Sequence, residues 1–255
     1  MTALRALLQS MLLSLLVLIP FTSHAETGTD IYLYTENYGR YNYSLNGRDF
    51  EHWRDDIGGS STELVKAIMA ESGLSYRLRL RTWRVGYERT LERPNYGLYS
   101  TARTESRETL FNWVGPIAQY SWVLFKYAGN DLAINSLDDL RTLRVGGYED
   151  DAATLFLQEA GIRVSTLPND SLNPQRLAQD QIDVWIASDA SAYQLAQNAG
   201  YPDIEPAFVI RTVDMYLAMN PETDTDKLQR LHDAYDTVMA ERGANAIAPT
   251  VNAAD

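Results

Sequence analysis

The sequence predicts an α/β fold, because strand-like and helix-like segments alternate along most of the chain. Short apolar segments rich in β-branched and aromatic residues are separated by stretches whose apolar residues recur at helical spacing. This alternation is typical of folds with mainly parallel sheets. The chain has 255 residues, of which 45% are hydrophobic and 22% charged. That composition is globular, and the length suits one large domain or two of about 100 residues each.

Two strands and one helix are predicted in the first part of the chain. Residues 31–34 form a short β-rich segment, and residues 76–81 alternate with period two, as a strand with one buried face does. Between them, Ser60 and Glu63 have the spacing of a capping box, and Gly73 marks the end of a helix. The apolar stripe of this helix consists of Leu64, Val65, Ile68 and Met69.

The alternation continues in the later part of the chain. Three strands are predicted, at residues 122–127, 182–187 and 215–219. Four helices are predicted, one after a capping box at residues 136–139, one opened by Asp150 and Asp151, one over residues 190–198 and one that ends at Gly243.

Charge and residue counts exclude several classes of function. The net charge of −12 disfavours nucleic acid or anionic lipid as the main partner. The absence of Cys excludes disulfides, thiolate nucleophiles and Cys-based metal sites, and the only histidines, at positions 24, 52 and 232, are widely separated. We therefore expect no bound metal and no cofactor. The 16 tyrosines suit a wet binding cleft, because Tyr combines an apolar face with a polar tip.

The N-terminal segment has the pattern of a secretory signal peptide. Arg5 precedes an apolar run at residues 11–21, and Ser23-His24-Ala25 supplies small residues at the −3 and −1 positions of a cleavage site. A membrane anchor is the alternative, but it needs about 20 unbroken apolar residues and this run is shorter. We predict that residues 1–25 are removed after Ala25, and that the mature protein is exported without insertion into the membrane.

Six segments resemble, in order, the motifs of one protein family. They are residues 34–43, 59–64, 100–107, 111–116, 136–146 and 182–185. From Asp30 to about Gly243, the chain resembles the family 3 (polar-amino-acid type) periplasmic solute-binding proteins that feed ABC importers. The resemblance implies a periplasmic location and a type II two-lobe α/β fold. It places a discontinuous first lobe at residues 26–117 plus 214–255, a second lobe at 121–208, and two hinge strands near 117–121 and 208–214. Ligand would bind in the cleft between the lobes.

The resemblance assigns Arg107 to the ligand carboxylate, which a guanidinium can hold through two charge-assisted hydrogen bonds. The alternative for Arg107 is a surface ion pair with Glu105 or Glu108. Arg103 is either a second anion contact or a solvated charge. Ser100 matches a position whose backbone and hydroxyl hold ligand in the family.

Asp189 would neutralise the ligand amine, since a buried ammonium needs a carboxylate nearby. The interval from Asp183 is one residue longer than in the family, so strict register puts Ser188 at this site instead. The alternative is that Asp189 caps a helix beginning at Ala190.

The aromatic residues Tyr38 and Trp83 match positions that enclose the ligand side chain in basic-amino-acid relatives, with core packing as the alternative. Glu36 corresponds loosely to an acidic residue near the cleft. Asp150 and Asp151 would cap a helix, and if their loop faces the cleft they favour a cationic or neutral group there.

The resemblance implies a solute-binding protein that captures a small polar, carboxylate-bearing solute, an amino acid or similar, and presents it to an ABC permease in the inner membrane. The sequence leaves the oligomeric state open, and a monomer is the default expectation. One alternative is an exported dehydratase-like enzyme on the same fold, for which Glu36 or Asp189 would have to act as general acid or base. The other is a ligand-sensing partner of a membrane receptor.

Overall fold

The computed structural model describes residues 28–243, so the predicted signal peptide and residues 244–255 of the predicted first lobe lie outside the described residues. The strands are β1 (Ile31–Thr35), β2 (Tyr43–Ser44), β3 (Ile57–Gly58), β4 (Tyr76–Leu80), β5 (Tyr96–Ala102), β6 (Asn112–Tyr127), β7 (Val145–Tyr148), β8 (Val164–Leu167), β9 (Val184–Ser188) and β10 (Ile204–Met219). The α-helices are α1 (Ser60–Ser72), α2 (Trp83–Glu92), α3 (Ala152–Glu159), α4 (Asn173–Ala178), α5 (Ala192–Asn198) and α6 (Thr225–Arg242). Short 3-10 helices lie at Arg54–Asp56, Glu105–Leu110, Leu137–Thr142 and Asp170–Leu172.

Eight strands form one mixed sheet in the order β4-β1-β5-β10-β6-β9-β7-β8. At one end β1 runs parallel to β4 and β5, and at the other β7 runs parallel to β8 and β9. In the middle, β6 and β10 pair antiparallel with each other and with their outer neighbours. The expectation of mainly parallel pairing was therefore wrong for the centre of the sheet. The chain leaves one half through β6 and returns through β10, so these two strands must run in opposite directions.

The two halves of the sheet have separate cores and are called here lobe 1 (the β4-β1-β5 side) and lobe 2 (the β9-β7-β8 side). In lobe 1, α1 and α6 pack on the sheet through Ile68 and Leu231, against residues such as Leu33. In lobe 2, the main cluster includes Leu157 of α3 and Ile186 of β9. A third cluster surrounds the buried Trp185 and Phe125 on the other face of lobe 2. The segments predicted as hinges, 117–121 and 208–214, lie inside the two long strands β6 and β10.

Helix α1 has the predicted stripe on its buried face, but its predicted N-terminal capping box was wrong. The N-cap is Gly59, and no side chain caps the helix. The amides of Ser61 and Thr62 donate instead to the carbonyl oxygen of Tyr41, at 3.0 and 3.3 Å. A Cβ at Gly59 would lie 2.3 Å from that oxygen, so a glycine is needed for this close approach.

Two other predicted caps are present. Ser136 and Asp139 form a reciprocal capping box ahead of the 3-10 helix Leu137–Thr142. Asp151 caps α3 by accepting hydrogen bonds from the amides of Ala153 and Thr154. Both cases follow the rule that short oxygen-bearing side chains satisfy the first free amides of a helix. Within residues 28–243, no helix is both long enough and apolar enough to cross a bilayer.

Candidate functional site

The carboxyl ends of strands from both halves of the sheet lie at the boundary between the lobes. Lobe 1 contributes the loop after β1, the start of α2 and the 3-10 helix Glu105–Leu110. Lobe 2 contributes the loop from β7 to α3, the 3-10 helix Asp170–Leu172 and the end of β9. In open α/β sheets, the carboxyl ends of the strands are where ligands bind. This boundary is therefore the candidate ligand cleft.

Arg107 lies in this boundary, on the 3-10 helix Glu105–Leu110, and is only 4% exposed. Its Nη2 donates to the carbonyl oxygen of Asp150 in lobe 2, at 2.9 Å. Its guanidinium carbon lies 5.1 Å from the ring centre of Trp83 and 5.4 Å from that of Tyr87, which are cation–π distances. The alternative of a surface ion pair was wrong, because the buried guanidinium points across to the other lobe.

Arg103 makes the surface ion pair instead. Its Nε and Nη2 both donate to the carboxylate of Glu108, and its guanidinium stacks on the rings of Trp113 and Tyr216. Hydrogen bonding from Arg103 lowers the pKa of Glu108. Arg103 thus has its charge neutralised within lobe 1.

Glu36 follows β1 and faces lobe 2. Its carboxylate accepts a hydrogen bond from the phenol of Tyr148, at 3.3 Å, and this bond joins the two lobes. Burial, reinforced by the charges of Asp151 and Asp170, raises the pKa of Glu36 to about 8. A carboxyl with that pKa is mostly protonated at neutral pH.

Two carboxyl groups of lobe 2 belong to the same cleft. Burial raises the pKa of Asp151, and the charge of Arg107 opposes this rise. Burial also raises the pKa of Asp170 to about 7, against the hydrogen bonds that it accepts from Trp185 Nε1 and Asn173 Nδ2, each at 2.8 Å. The cleft therefore holds three carboxyl groups and, beside them, the guanidinium of Arg107.

Tyr38 and Trp83 lie in the walls of the boundary. Tyr38, on lobe 1, packs edge-on against Tyr120 with 5.8 Å between ring centres, and its phenol lies beside the Ser188 hydroxyl of lobe 2. Ser188 is buried, and its Oγ accepts a hydrogen bond from the amide of Ala190. Trp83 is the first residue of α2 and is 6% exposed. Its indole N–H has no acceptor among the described residues.

Ser100 positions the loop that carries Glu36 and Tyr38. It lies in β5 with φ of +59°, and its hydroxyl donates to Oδ1 of Asn42. Asn42 in turn donates through Nδ2 to the backbone carbonyl of Glu36. The hydroxyl of Ser100 thus holds in place, through Asn42, the backbone of the loop that carries Glu36.

Asp189 connects β9 to β6 and does not cap a helix. Its carboxylate accepts a hydrogen bond from the amide of Ser121 at 3.0 Å, and its own amide donates to the Ser121 carbonyl. The alternative of a helix cap was wrong, because α5 begins at Ala192. The ladder between β6 and β9 ends at the pair Trp122–Ser188, so the Asp189 side chain satisfies the next free amide of β6.

The lobes are in contact beyond the charged groups. The phenol of Tyr41 in lobe 1 donates to the carbonyl oxygen of Gln119, in the β6 segment predicted as a hinge, at 2.5 Å. Gly39, in the loop after β1, lies so close to lobe 2 that a Cβ there would be 2.1 Å from the carbonyl oxygen of Ala190. The structure therefore has the lobes closed on each other.

A cavity of about 160 Å³ adjoins Arg107. Arg211 of β10 also lines it, with its guanidinium carbon 4.5 Å from the ring centre of Trp122 and 4.9 Å from that of Phe156. A second cavity, of about 470 Å³, lies at the amino ends of β7 and β8 and contains none of the groups described above. No group of three metal-ligating side chains occurs within residues 28–243.

Several cleft residues could not be selected from the sequence. Tyr148, Asp170 and Arg211 lie in segments without a recognised motif, and Tyr87 was not singled out because the helix α2 was not predicted. Tyr148 had one local signal, since it ends a strand two residues before the Asp150-Asp151 pair. Asp170 had none.

Comparison with known proteins finds similarity at the level of the fold. No family model matches the chain, and no curated protein matches it. A histidine kinase sensor domain with similarity to periplasmic binding proteins matches at 17% identity and a TM-score of 0.71, covering 84% of this chain and 96% of that one. Holo ArgBP from T. maritima matches at 16% identity and a TM-score of 0.68, covering 82% and 89%.

The arginine-, lysine-, histidine-binding protein ArtJ from Geobacillus stearothermophilus matches at 15% identity and a TM-score of 0.68, covering 83% of this chain and 90% of that one. At such identities the likeness shows the fold alone. The chain has the two-lobe α/β fold of periplasmic binding proteins, with the candidate cleft between its lobes.

Proposed function

We propose that this protein is a solute-binding protein of the family 3 type, which captures a small polar, carboxylate-bearing solute, an amino acid or similar, between its lobes and presents it to an ABC permease. The observation that carries this proposal is the position of Arg107, a buried guanidinium of lobe 1 that reaches the other lobe. Within the described residues, the side-chain nitrogens of Arg107 make one hydrogen bond, to the carbonyl oxygen of Asp150. The remaining N–H groups are free to bind a ligand carboxylate.

The charges around Arg107 favour an amino acid with a cationic side chain. The carboxylate would bind to Arg107, and the cationic group would lie near Glu36 and Asp151, where half-buried carboxyl groups outnumber positive charges. Trp83 and Tyr38 offer aromatic faces for the apolar stem. Two of the similar structures are an ancestral arginine-binding protein bound to arginine and the arginine-, lysine-, histidine-binding protein ArtJ.

The test is the affinity for L-arginine, L-lysine and L-histidine, measured by isothermal titration calorimetry with the chain from Glu26 onward. Removing one partner of a desolvated charge pair costs about 2–5 kcal/mol, so Arg107→Ala should weaken binding at least about 30-fold. Arg107→Lys keeps the positive charge but lacks the planar guanidinium that can hold a carboxylate through two hydrogen bonds, so it should bind these amino acids with intermediate affinity. Arg89→Ala, an exposed arginine on α2, is the matched control. Undiminished affinity of Arg107→Ala would remove the basis of the proposal.

The location and processing belong to the same proposal. We expect cleavage after Ala25 and a periplasmic, monomeric product. Mass spectrometry of protein isolated from a periplasmic fraction should give a chain beginning at Glu26, and size-exclusion chromatography with light scattering should give a monomer. A retained apolar N-terminus would contradict the predicted export signal.

A sensory role is the second candidate, because one of the similar structures is a sensor domain of a histidine kinase. In that role the closed, liganded protein would contact a membrane receptor. Deletion of the gene followed by an uptake assay separates the two roles, since unchanged uptake of the bound solute favours the receptor. Both roles are non-enzymatic, and either requires that the ligand be recovered unchanged after incubation with the protein.

A further inference from the structure

Glu36 is surrounded by groups from several elements of the closed cleft. Tyr148 at the end of β7 donates to it, and Asp151 at the start of α3 and Asp170 on its 3-10 helix add negative charge. The Trp83 backbone at the start of α2 favours its ionised form. The positive charge within the cluster is that of Arg107, which acts on Asp151. One guanidinium cannot neutralise three carboxylates, so full ionisation of the closed cleft is unfavourable.

The hydrogen-bond donors decide which carboxyl group holds a proton. Asp151 accepts bonds from two helix amides and faces Arg107, and Asp170 accepts bonds from Trp185 and Asn173. These donors all belong to lobe 2 except Arg107. Within residues 28–243, the side-chain donor to the Glu36 carboxylate is the Tyr148 phenol, at 3.3 Å, and this bond spans the boundary between the lobes. Glu36 is therefore the group that is least able to stay ionised in the closed cleft.

We propose that the cleft takes up its cationic ligand in exchange for a proton. The ligand's ammonium or guanidinium group enters between Glu36 and Asp151, the O–H bond of the Glu36 carboxyl group ionises, and the proton passes to solvent. The positive charge of the ligand then replaces the positive charge of that proton, so the net charge of the closed cleft is unchanged. This inference rests on the proposed function and adds to it a coupling of ligand binding to pH.

The coupling predicts that affinity rises with pH. In the ligand-free protein with its lobes closed, the pKa of Glu36 is about 8. With full ionisation in the complex, the affinity for arginine should increase roughly 75-fold between about pH 6 and pH 8.5. At pH 7, close to one proton should be released for each arginine bound. L-citrulline, a neutral analogue of arginine with nearly the same shape, should release none.

Proton release can be counted by titrating arginine into the protein at pH 7 in buffers with different ionisation enthalpies. The observed binding enthalpy should vary linearly with the buffer enthalpy, with a slope close to one proton. Glu36→Gln removes the titrating group and should abolish this slope, while Glu71→Gln, an exposed carboxyl group on α1, should leave it unchanged. Tyr148→Phe removes the phenol that favours the ionised form and should move the midpoint of the affinity profile to higher pH.

The outcomes separate the inference from the proposed function. Arginine binding whose enthalpy is independent of the buffer overturns proton exchange and leaves solute binding intact. Proton release that persists in Glu36→Gln, or a pH profile that Tyr148→Phe does not move, overturns the assignment to Glu36. Absence of arginine binding at every pH from about 6 to 9 overturns the proposed basic-amino-acid function, and the inference with it.

Discussion

Replacing Gly39 by alanine should selectively destabilise the closed arrangement of the lobes. Gly39 lies on lobe 1 with φ of +52°, and its Cβ would be 2.1 Å from the carbonyl oxygen of Ala190 on lobe 2. Contacts under 3.0 Å are essentially never found for Cβ atoms, so the lobes must separate locally by at least about 0.9 Å. Because the obstacle is backbone, no side chain can rotate away to relieve the contact.

The magnitude follows from the cost of overpacking, about 1–3 kcal/mol for a methyl group that a packed site cannot accommodate. The ligand-free variant can relieve this cost by opening, whereas the closed complex cannot, so the cost appears as a loss of ligand affinity of about 5- to 150-fold. The left-handed backbone adds about 1–2 kcal/mol for any residue with a Cβ, but it does so in the open and closed states alike. That second cost therefore lowers the folding stability without changing the affinity.

Gly47→Ala is the matched control, because Gly47 has φ of +66° and no atom within 4 Å of its Cβ position. The two variants share the backbone strain and differ in the interlobe contact. We expect similar melting temperatures, a lower arginine affinity for Gly39→Ala alone, and a larger radius of gyration for Gly39→Ala in small-angle X-ray scattering. Equal affinities for the two variants would refute the view that this contact forms when ligand is bound.

Two further predictions concern stability. A carboxyl group whose pKa rises on folding binds more protons in the folded protein than in the unfolded one. Glu36 should therefore make the ligand-free protein less stable as the pH rises from 4.5 to about 8, with no further loss above that range. Urea unfolding of wild type and Glu36→Gln across this range should show a smaller decline in stability for the variant, and parallel curves would contradict the raised pKa. Asp189→Ala should lower the free energy of unfolding by about 1–3 kcal/mol, because it leaves the Ser121 amide without its acceptor. Asp189→Asn keeps an oxygen at that place and should lower the free energy of unfolding less. Equal unfolding free energies for the two variants would show that the hydrogen bond contributes little.

The regular elements with strong periodicity were predictable from the sequence. The helix ending at Gly243 is α6, and the apolar segments 122–127 and 215–219 are parts of β6 and β10. Their apolar residues are spaced to face a core, which is a local property of the chain. Residues 96–102 were not predicted as a strand, because Gly, Ser and Thr give weak strand signals and this segment is buried by its neighbours on both sides.

Element boundaries were less predictable where a distant backbone group decides them. The first amides of α1 donate hydrogen bonds to the carbonyl oxygen of Tyr41, and no local sequence pattern predicts this contact. Aspartate often caps helices, but Asp189 instead accepts a hydrogen bond from an amide of β6 that is 68 residues away in sequence. In both cases a hydrogen bond to another segment replaced the local one that the sequence favoured.

The sequence by itself determined the α/β class, the globular composition and the acidic net charge, and its resemblance indicated Arg107 and Glu36 as site residues. Only the tertiary structure decided what surrounds those two side chains. Tyr148 reaches Glu36 across 112 residues, and Arg107 reaches Asp150 across 43. The physical reason is that apolar periodicity acts between neighbours in the chain, whereas burial and charge act through space and depend on how the two lobes meet.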